Sequence, residues 1–331
     1  MSDSTVRFLH SDDVAGLATV EEYVAAVRDG YRQRGEGAPA KPRTSLFGGD
    51  PPGMLTGYKA ILPDAGVMGG YTYAAGFGGG DAHFVLSLFD ADSGAPLALF
   101  DGASLNPYKT GATGAVGVDA LARTDAETVG LFGSGPQARG QLRAVATVRD
   151  LSRVNVYSPT ADHRERFAAA TNAELDATVG AVASPTAAVE GADIVITATD
   201  AADPVFDGDR LEPGTHVTAM GQYHPEKREV DATTVERATY VPDLRARIQQ
   251  DAGAFIAARE AGAVDDDHVH AELGEVVAGE APGRTDSEEI TLFDSGGTAI
   301  ETVAAAGMLY DRAVEDDLGE EIRFSPASDA M

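Results

Sequence analysis

The run Thr-Val-Gly-Leu-Phe-Gly-Ser-Gly-Pro-Gln-Ala-Arg at 128–139 constrains the fold more than any other segment. An apolar stretch (Val129, Leu131, Phe132) enters a Gly133-Ser134-Gly135 turn. A helical pattern then opens at Pro136 and Gln137 and continues through Leu142, Val145 and Ala146. Strand, glycine turn and helix N-terminus in that order cradle a pyrophosphate. Gly133 permits the tight turn, Gly135 lets the backbone approach the ligand, and the free N–H groups of the first helical turn face the anion. Pro136 suits the first helical position, where no N–H is needed. Ala138 stands where G-x-G-x-x-G has its third glycine, a tolerated variant. The segment predicts a nucleotide site built on Gly133, Ser134, Gly135, Pro136 and Gln137.

Around this turn the pattern is βαβ. Apolar strands are predicted at 129–132, 154–157, 194–199, 217–220, 240–241 and 290–293, with helical or polar stretches between them. Such alternation implies a parallel sheet with right-handed crossovers. The N-terminal third differs. A short strand at 6–9 precedes a helix with a Thr19/Glu22 capping box and an apolar face of Val20, Val24, Val27 and Tyr31. Residues 36–110 read as β-rich, with strands at 83–89 and 96–100 around the turn Asp90-Ala91-Asp92-Ser93-Gly94. The glycine-rich stretch 76–80 reads as a loop, because no strand-to-helix switch frames it. A helix is predicted from Gly111 to Ala122, and another at 300–314 whose tail returns to the first domain. Residues 325–331 read as a frayed end.

Composition narrows the class. The chain has 331 residues and no cysteine, which excludes disulfides, thiolate metal sites and cysteine nucleophiles and fits a reducing, cytoplasmic setting. No apolar run is long enough to span a bilayer. Acidic residues number 53 against 25 basic ones, a net charge of −28, and lysine occurs only at 41, 59, 109 and 227. Such a charge repels itself unless screened, and molar salt shortens the Debye length to about 3 Å. The reading is a halophilic protein. Without a basic patch, nucleic acid and anionic membranes are not expected partners. No metal site is expected. His268 and His270 lie beside three aspartates in a loop-like stretch, and no nucleophile-elbow motif is present.

Several motifs together resemble the ornithine cyclodeaminase/μ-crystallin family of NAD(P)-binding proteins. They are Thr-Gly-Ala at 110–112, Gly-Ser-Gly-Pro-Gln-Ala-Arg at 133–139 and Pro-Glu-Lys-Arg-Glu-Val-Asp at 225–231. Glu-Leu-Gly-Glu-Val-Val-Ala-Gly at 272–279, Pro-Gly-Arg-Thr at 282–285 and Thr-Leu-Phe-Asp-Ser-Gly-Gly at 291–297 complete the set. The resemblance implies an α/β fold in two parts. One is a Rossmann-type doubly wound parallel sheet, here 113–307. The other is a discontinuous β-rich α+β domain for substrate binding and dimerisation, here 1–112 and 308–331. It further implies a homodimer acting on a small α-amino, α-keto or cyclic imino acid, a carboxylate in every case.

The departures from the family pattern bear on the chemistry. The family arginine before Thr-Gly-Ala is Lys109 here. Its lysine in the β-rich domain aligns with Tyr71, or with Lys59 if the loop is shifted. Its aspartate after the fifth-strand glycine, Gly221, falls on Tyr223. Arg43 matches the other carboxylate-binding arginine. Arg43 offers a two-pronged fork and Lys109 a point charge. If buried near Arg43, Lys109 is pushed toward its neutral form and becomes a candidate proton donor. Lys109, Tyr71 and Tyr223 are the candidate catalytic groups. Thr110, Ser158, Thr199 and Gly221 join the turn as cofactor contacts. At the tip of the second strand, 154–160 carries no acid to accept from a ribose 2′-hydroxyl, and Arg164 and Arg166 follow, which leans NAD(P) toward NADP. The leading expectation is an NAD(P)H-dependent imine reductase or amino-acid dehydrogenase. Ornithine cyclodeaminase and a non-catalytic NAD(P)H-dependent binding protein are the alternatives.

Overall fold

A computed structural model of the chain describes residues 4–78 and 81–326. Gly79 and Gly80 of the expected loop, and residues 327–331 of the expected frayed end, lie outside the described residues. The chain divides into two units, Met1–Lys109 with Thr298–Met331, and Thr110–Gly297. The expected divisions were at 112/113 and 307/308. The later one falls before the last helix because that whole helix packs on elements of the first unit.

The first unit holds β1 (Ser4–Leu9), α1 (Ser11–Val14), α2 (Val20–Gly35), β2 (Ala40–Gly49), β3 (Pro52–Leu62), β4 (Val67–Gly76), β5 (His83–Asp90), β6 (Pro96–Asp101) and the start of α3 (Asn106–Leu121). At the other end of the chain come α10 (Ala299–Glu315) and β14 (Glu320–Phe324). Seven strands form one sheet in the order β14-β1-β6-β5-β4-β3-β2, antiparallel except for β1 beside β6. Alternation decides its faces. Thr56, Tyr58, Ala60 and Leu62 of β3 are buried, whereas Leu55, Lys59 and Ile61 point the other way and are exposed. On the buried side α10 packs against α2, β3 and β4. Gly30 of α2 makes that approach close, since a Cβ there would lie 3.0 Å from the Cβ of Ala304. The Thr19/Glu22 capping box opens α2 as expected.

The second unit continues with β7 (Thr128–Phe132), α4 (Pro136–Val145), β8 (Arg153–Tyr157), α5 (Ala161–Asn172), β9 (Thr178–Ala181), α6 (Pro185–Val189) and β10 (Ile194–Thr197). It closes with β11 (His216–Ala219), α7 (Ala232–Arg237), β12 (Ala238–Pro242), α8 (Gly253–Glu260), α9 (Leu273–Val277) and β13 (Ile290–Asp294). Its seven strands are all parallel, in the order β12-β13-β11-β10-β7-β8-β9. Read from β9, the order reverses between β7 and β10. That is the switch point of a doubly wound sheet, where this fold binds ligands beyond the strand ends.

Four local expectations are corrected. The joining helix α3 begins at Asn106, not Gly111, because Pro107 fits a first turn, where its missing N–H costs nothing. Strand β10 ends at Thr197, two residues early. β9 went unread in a polar stretch. β14 went unread because Glu320, Glu321 and Arg323 give an edge strand no apolar pattern.

His216, at the start of β11, is fully buried, with its two ring nitrogens each 2.9 Å from a threonine hydroxyl, Thr291 and Thr218. Burial, then Arg284 and Arg149, push its pKa down to about 3. The folded imidazole therefore stays neutral while the unfolded one takes a proton below its ordinary value. The stability this confers is whole above pH ~6.5 and lost as pH falls toward the folded value, up to about 5 kcal/mol. Unfolding curves from pH 7 to 4 should show a shallower acid loss for His216→Gln than for the wild type. Parallel curves would clear His216 of that role.

Candidate active site and cofactor-binding turn

In the first unit, β2 carries a bulge between Lys41 and Thr44, so Pro42 and Arg43 together oppose Tyr58 of β3. Bulges re-aim side chains, and this one turns Arg43 into the core at 5% exposure. The Arg43 guanidinium donates to the Tyr73 hydroxyl at 2.8 Å and lies 5.5 Å from the centre of the Tyr58 ring. Tyr58 pairs with Tyr71 across β3 and β4, and the rings of Tyr58, Tyr71, Tyr73 and Phe84 touch in series. Lys109, in the first turn of α3, is 3% exposed. Its Nζ sits 5.7 Å from the centre of the Tyr71 ring and 3.4 Å from Oε1 of Glu301 on α10. Two cations therefore share one buried aromatic floor.

Tyr71 itself is 1% exposed. Its hydroxyl lies within donating reach of Asn106 Oδ1 (2.8 Å) and the Gly102 carbonyl (3.0 Å). Burial, and next the neighbouring Tyr58, hold that phenol well above its usual pKa. Lys59 is exposed on the opposite face of β3. The structure thus sets Tyr71, and not Lys59, beside Lys109. Tyr223 belongs to the second unit, in the loop after β11, and is 39% exposed.

In the second unit the glycine turn has the geometry a pyrophosphate needs. Gly133 adopts φ +118°, and a Cβ there would meet the Ala198 carbonyl at 2.5 Å. Gly135 is the N-cap of α4, with Pro136 at its start, and a Cβ on Gly135 would meet nothing within 4 Å. The first glycine is required by the protein. The second leaves open space where a ligand's oxygens can come close. Oε1 of Gln137 is buried there with no hydrogen-bond partner. Ser134 and Ser158 approach each other at 3.2 Å, tying the turn to the tip of β8. A groove of about 590 Å³ lies over it, lined by Ser134, Gly135, Pro136, Arg139, His163 and Arg166. Arg164 instead donates to the Ser158 carbonyl at 2.9 Å. Thr110 lies under α4, its carbonyl accepting from Gln141 at 2.6 Å.

Thr199 and Gly221, read as separate contacts, are joined by a residue that sequence reasoning missed. Glu229 accepts from the Thr199 N–H (2.6 Å), the Gly221 N–H (2.6 Å) and the Thr197 hydroxyl (2.9 Å). Burial pushes its pKa up. Glu229 lies in the 225–231 motif, but nothing in its spacing says that it folds back onto the ends of β10 and β11. Asp243, after β12, was missed as well. It accepts from Ser295 Oγ and from the N–H groups of Gly296 and Gly297. Beside it Arg247 also pairs with Asp251 and Asp294. Among the described residues no cluster of three or more metal-binding side chains occurs, and no helix is long and apolar enough to cross a membrane. His268 and His270 bond separate carbonyls, those of Val235 and Pro282.

The chain is similar to known proteins along nearly its whole length. The ornithine cyclodeaminase/mu-crystallin family model matches residues 7–317. A Delta(1)-pyrroline-2-carboxylate reductase of Bacillus cereus is 35% identical over 242 residues, covering 72% of this chain and 74% of that one. Among solved structures, Delta(1)-pyrroline-2-carboxylate reductase of Thermococcus litoralis, in complex with NADH and L-proline, superposes with a TM-score of 0.90 at 31% identity, over 96% of this chain and 100% of that chain. An archaeal alanine dehydrogenase dimer with bound NAD gives 0.90 at 29% identity, over 97% and 100%.

The two glycines predict different failures. Gly133→Ala should destabilise the fold by about 1–3 kcal/mol, because a Cβ there meets protein at an unfavourable φ. Gly135→Ala should leave the melting temperature unchanged. If the turn holds a dinucleotide, it should weaken NAD(P)H binding at least about tenfold in a fluorescence titration. Equal affinity of Gly135→Ala and wild type would remove the turn from the cofactor site.

Proposed function

The chain belongs to the ornithine cyclodeaminase/mu-crystallin family, and on that premise we propose that this NAD(P)-dependent oxidoreductase, acting on the carbon–nitrogen bond of a small imino or α-amino acid, reduces a cyclic imino carboxylate. The observation that carries the reading is the buried pair of cations, Arg43 and Lys109, on one aromatic floor. A guanidinium fork and an ammonium held on one aromatic floor suit a carboxylate ligand. Arg43 binds the substrate carboxylate through its fork. Lys109 adds charge to that site and supplies the proton for the imine nitrogen. Tyr71 offers its ring face to Lys109, while its hydroxyl is engaged with Asn106 and Gly102. Bound NAD(P)H supplies the hydride. Gly133, Ser134, Gly135, Pro136, Gln137, Thr110, Ser158, Thr199 and Gly221 form its site, and Glu229 and Asp243 hold the turns around it. With no acid between Val156 and Thr160 and with Arg164 at the strand tip, NADP is the favoured form.

A cyclodeaminase needs a general base for the amine. Tyr223, on the aspartate column, does not supply one, so the reductase is preferred to the lyase. The net charge of −28 with four lysines supports a salt-rich cytoplasm as the working medium. NADH and NADPH oxidation in about 2–3 M KCl, with cyclic imino acids and with α-keto acids plus ammonia, tests the function. Cyclic imino acids should be reduced fastest. Silence across the panel with cofactor still bound would overturn the reading. Lys109→Ala should lose about 2 kcal/mol or more of transition-state stabilisation, roughly thirtyfold in kcat/KM, with no change in NAD(P)H affinity.

The homodimer is proposed from the uncovered face of the first unit's sheet. Leu46 pairs with Leu55, and Ile61 and Val85 lie on the same side, all exposed. A second copy of the chain covers this face. Leu55→Glu with Val85→Glu should convert dimer to monomer in light scattering at high salt. A wild type that is already monomeric would dismiss the idea.

A further inference from the structure

We infer that Glu301 is the positioning residue that keeps Lys109 charged and aimed for proton delivery at neutral pH. The inference rests on the reading of Lys109 as the proton donor.

Glu301 stands in the first turn of α10 and completes a capping box. It accepts from the Thr298 N–H at 2.6 Å and from the Thr298 hydroxyl. A capping box works equally well with glutamine, whose carbonyl oxygen takes the same N–H. The helix therefore does not explain why the residue is charged. Nor does burial, since Glu301 is 1% exposed, where a carboxylate is expensive unless a cation meets it. That cation is Lys109, at 3.4 Å, reached from 192 residues away in sequence. The same oxygen serves Thr298 and Lys109, so the helix cap locates the carboxylate and the carboxylate locates the ammonium.

Several other groups surround the pair. From α2, the Tyr31 hydroxyl reaches Glu301 Oε2 at 3.5 Å, and Tyr23 stacks on Tyr108 beside Lys109. From β4 comes the Tyr71 ring. Asp101, at the end of β6, acts on the Tyr71 phenol. Arg43, on β2, is engaged with Tyr73 and Tyr58. Burial favours the neutral amine of Lys109, and a carboxylate in contact favours the ammonium. In the reaction a Nζ–H bond of Lys109 breaks as an N–H bond forms at the substrate nitrogen, whose carbon takes the hydride from NAD(P)H. Lys109 is left as a neutral amine and regains its proton from water when the product leaves.

The chain has only four lysines, so lysine labelled with ¹³C at Cε gives a spectrum in which Lys109 can be followed directly. In Glu301→Gln the helix cap persists, and Lys109 should lose its proton at least about one pH unit lower than in the wild type. The alkaline limb of kcat should move down with it, KM for the imino acid should change little, and Glu301→Asp should restore much of the limb. Coincident Lys109 titrations in wild type and Glu301→Gln would overturn the inference, as would a uniform fall in kcat with no movement of the limb. Should Glu301→Gln fail to fold, the wild type decides alone, because a Lys109 that is neutral at pH 7 contradicts the inference. A wild type that reduces no imino acid overturns the functional reading instead, and the Lys109 titration still tests the hold of Glu301.

Discussion

A carboxylate taken out of water must be met by donors, and in this protein three such carboxylates are met by the backbone of the turns that matter. Glu229 takes the N–H groups of Thr199 and Gly221, Asp243 those of Leu244, Gly296 and Gly297, and Glu301 that of Thr298. Each bond to an ionised acceptor is stronger than a neutral one. Each also joins segments that the sheets or helices leave without regular partners. At Glu229 and Asp243, removing the charge takes away the turn's reason to hold one shape.

The parallel sheet gives Glu229 and Asp243 their setting. Its central strands β7, β10, β11 and β13 are buried almost throughout, and Val195, Val217 and Leu292 belong to their apolar core. The glycine turn after β7 follows the same logic at closer range. Gly133 is forced by the Ala198 carbonyl against it, whereas Gly135 faces open space. One glycine is required by the fold and the other is not, a distinction that two identical letters cannot carry.

The first unit handles charge differently. Arg43 and Lys109 are buried against tyrosine faces, and Lys109 has the buried carboxylate of Glu301 within reach as well. Guanidinium over an aromatic face is a moderately favourable pairing. Tyr71 shows how position changes a residue's use. Its phenol is spent on Asn106 and Gly102, and what remains toward Lys109 is the ring.

Local patterns were legible where one short segment contains its own reason. The β7 turn, the Thr19/Glu22 cap, the hairpin between β5 and β6 and six of the seven parallel strands could be read from apolar runs and glycine placement. By itself the sequence determined the α/β class, the dinucleotide-type turn, the lack of thiol chemistry and the family resemblance, because each depends on residues near one another or on composition. Tertiary structure alone decided that Tyr71 and not Lys59 sits by Lys109, since the two lie on opposite faces of one sheet. It alone placed Arg43 inward through a bulge, tied Thr199 to Gly221 through Glu229, and brought Glu301 to Lys109 across 192 residues. The reason is physical. A buried charge is settled by whichever group the fold brings within reach, and that reach is not measured along the chain.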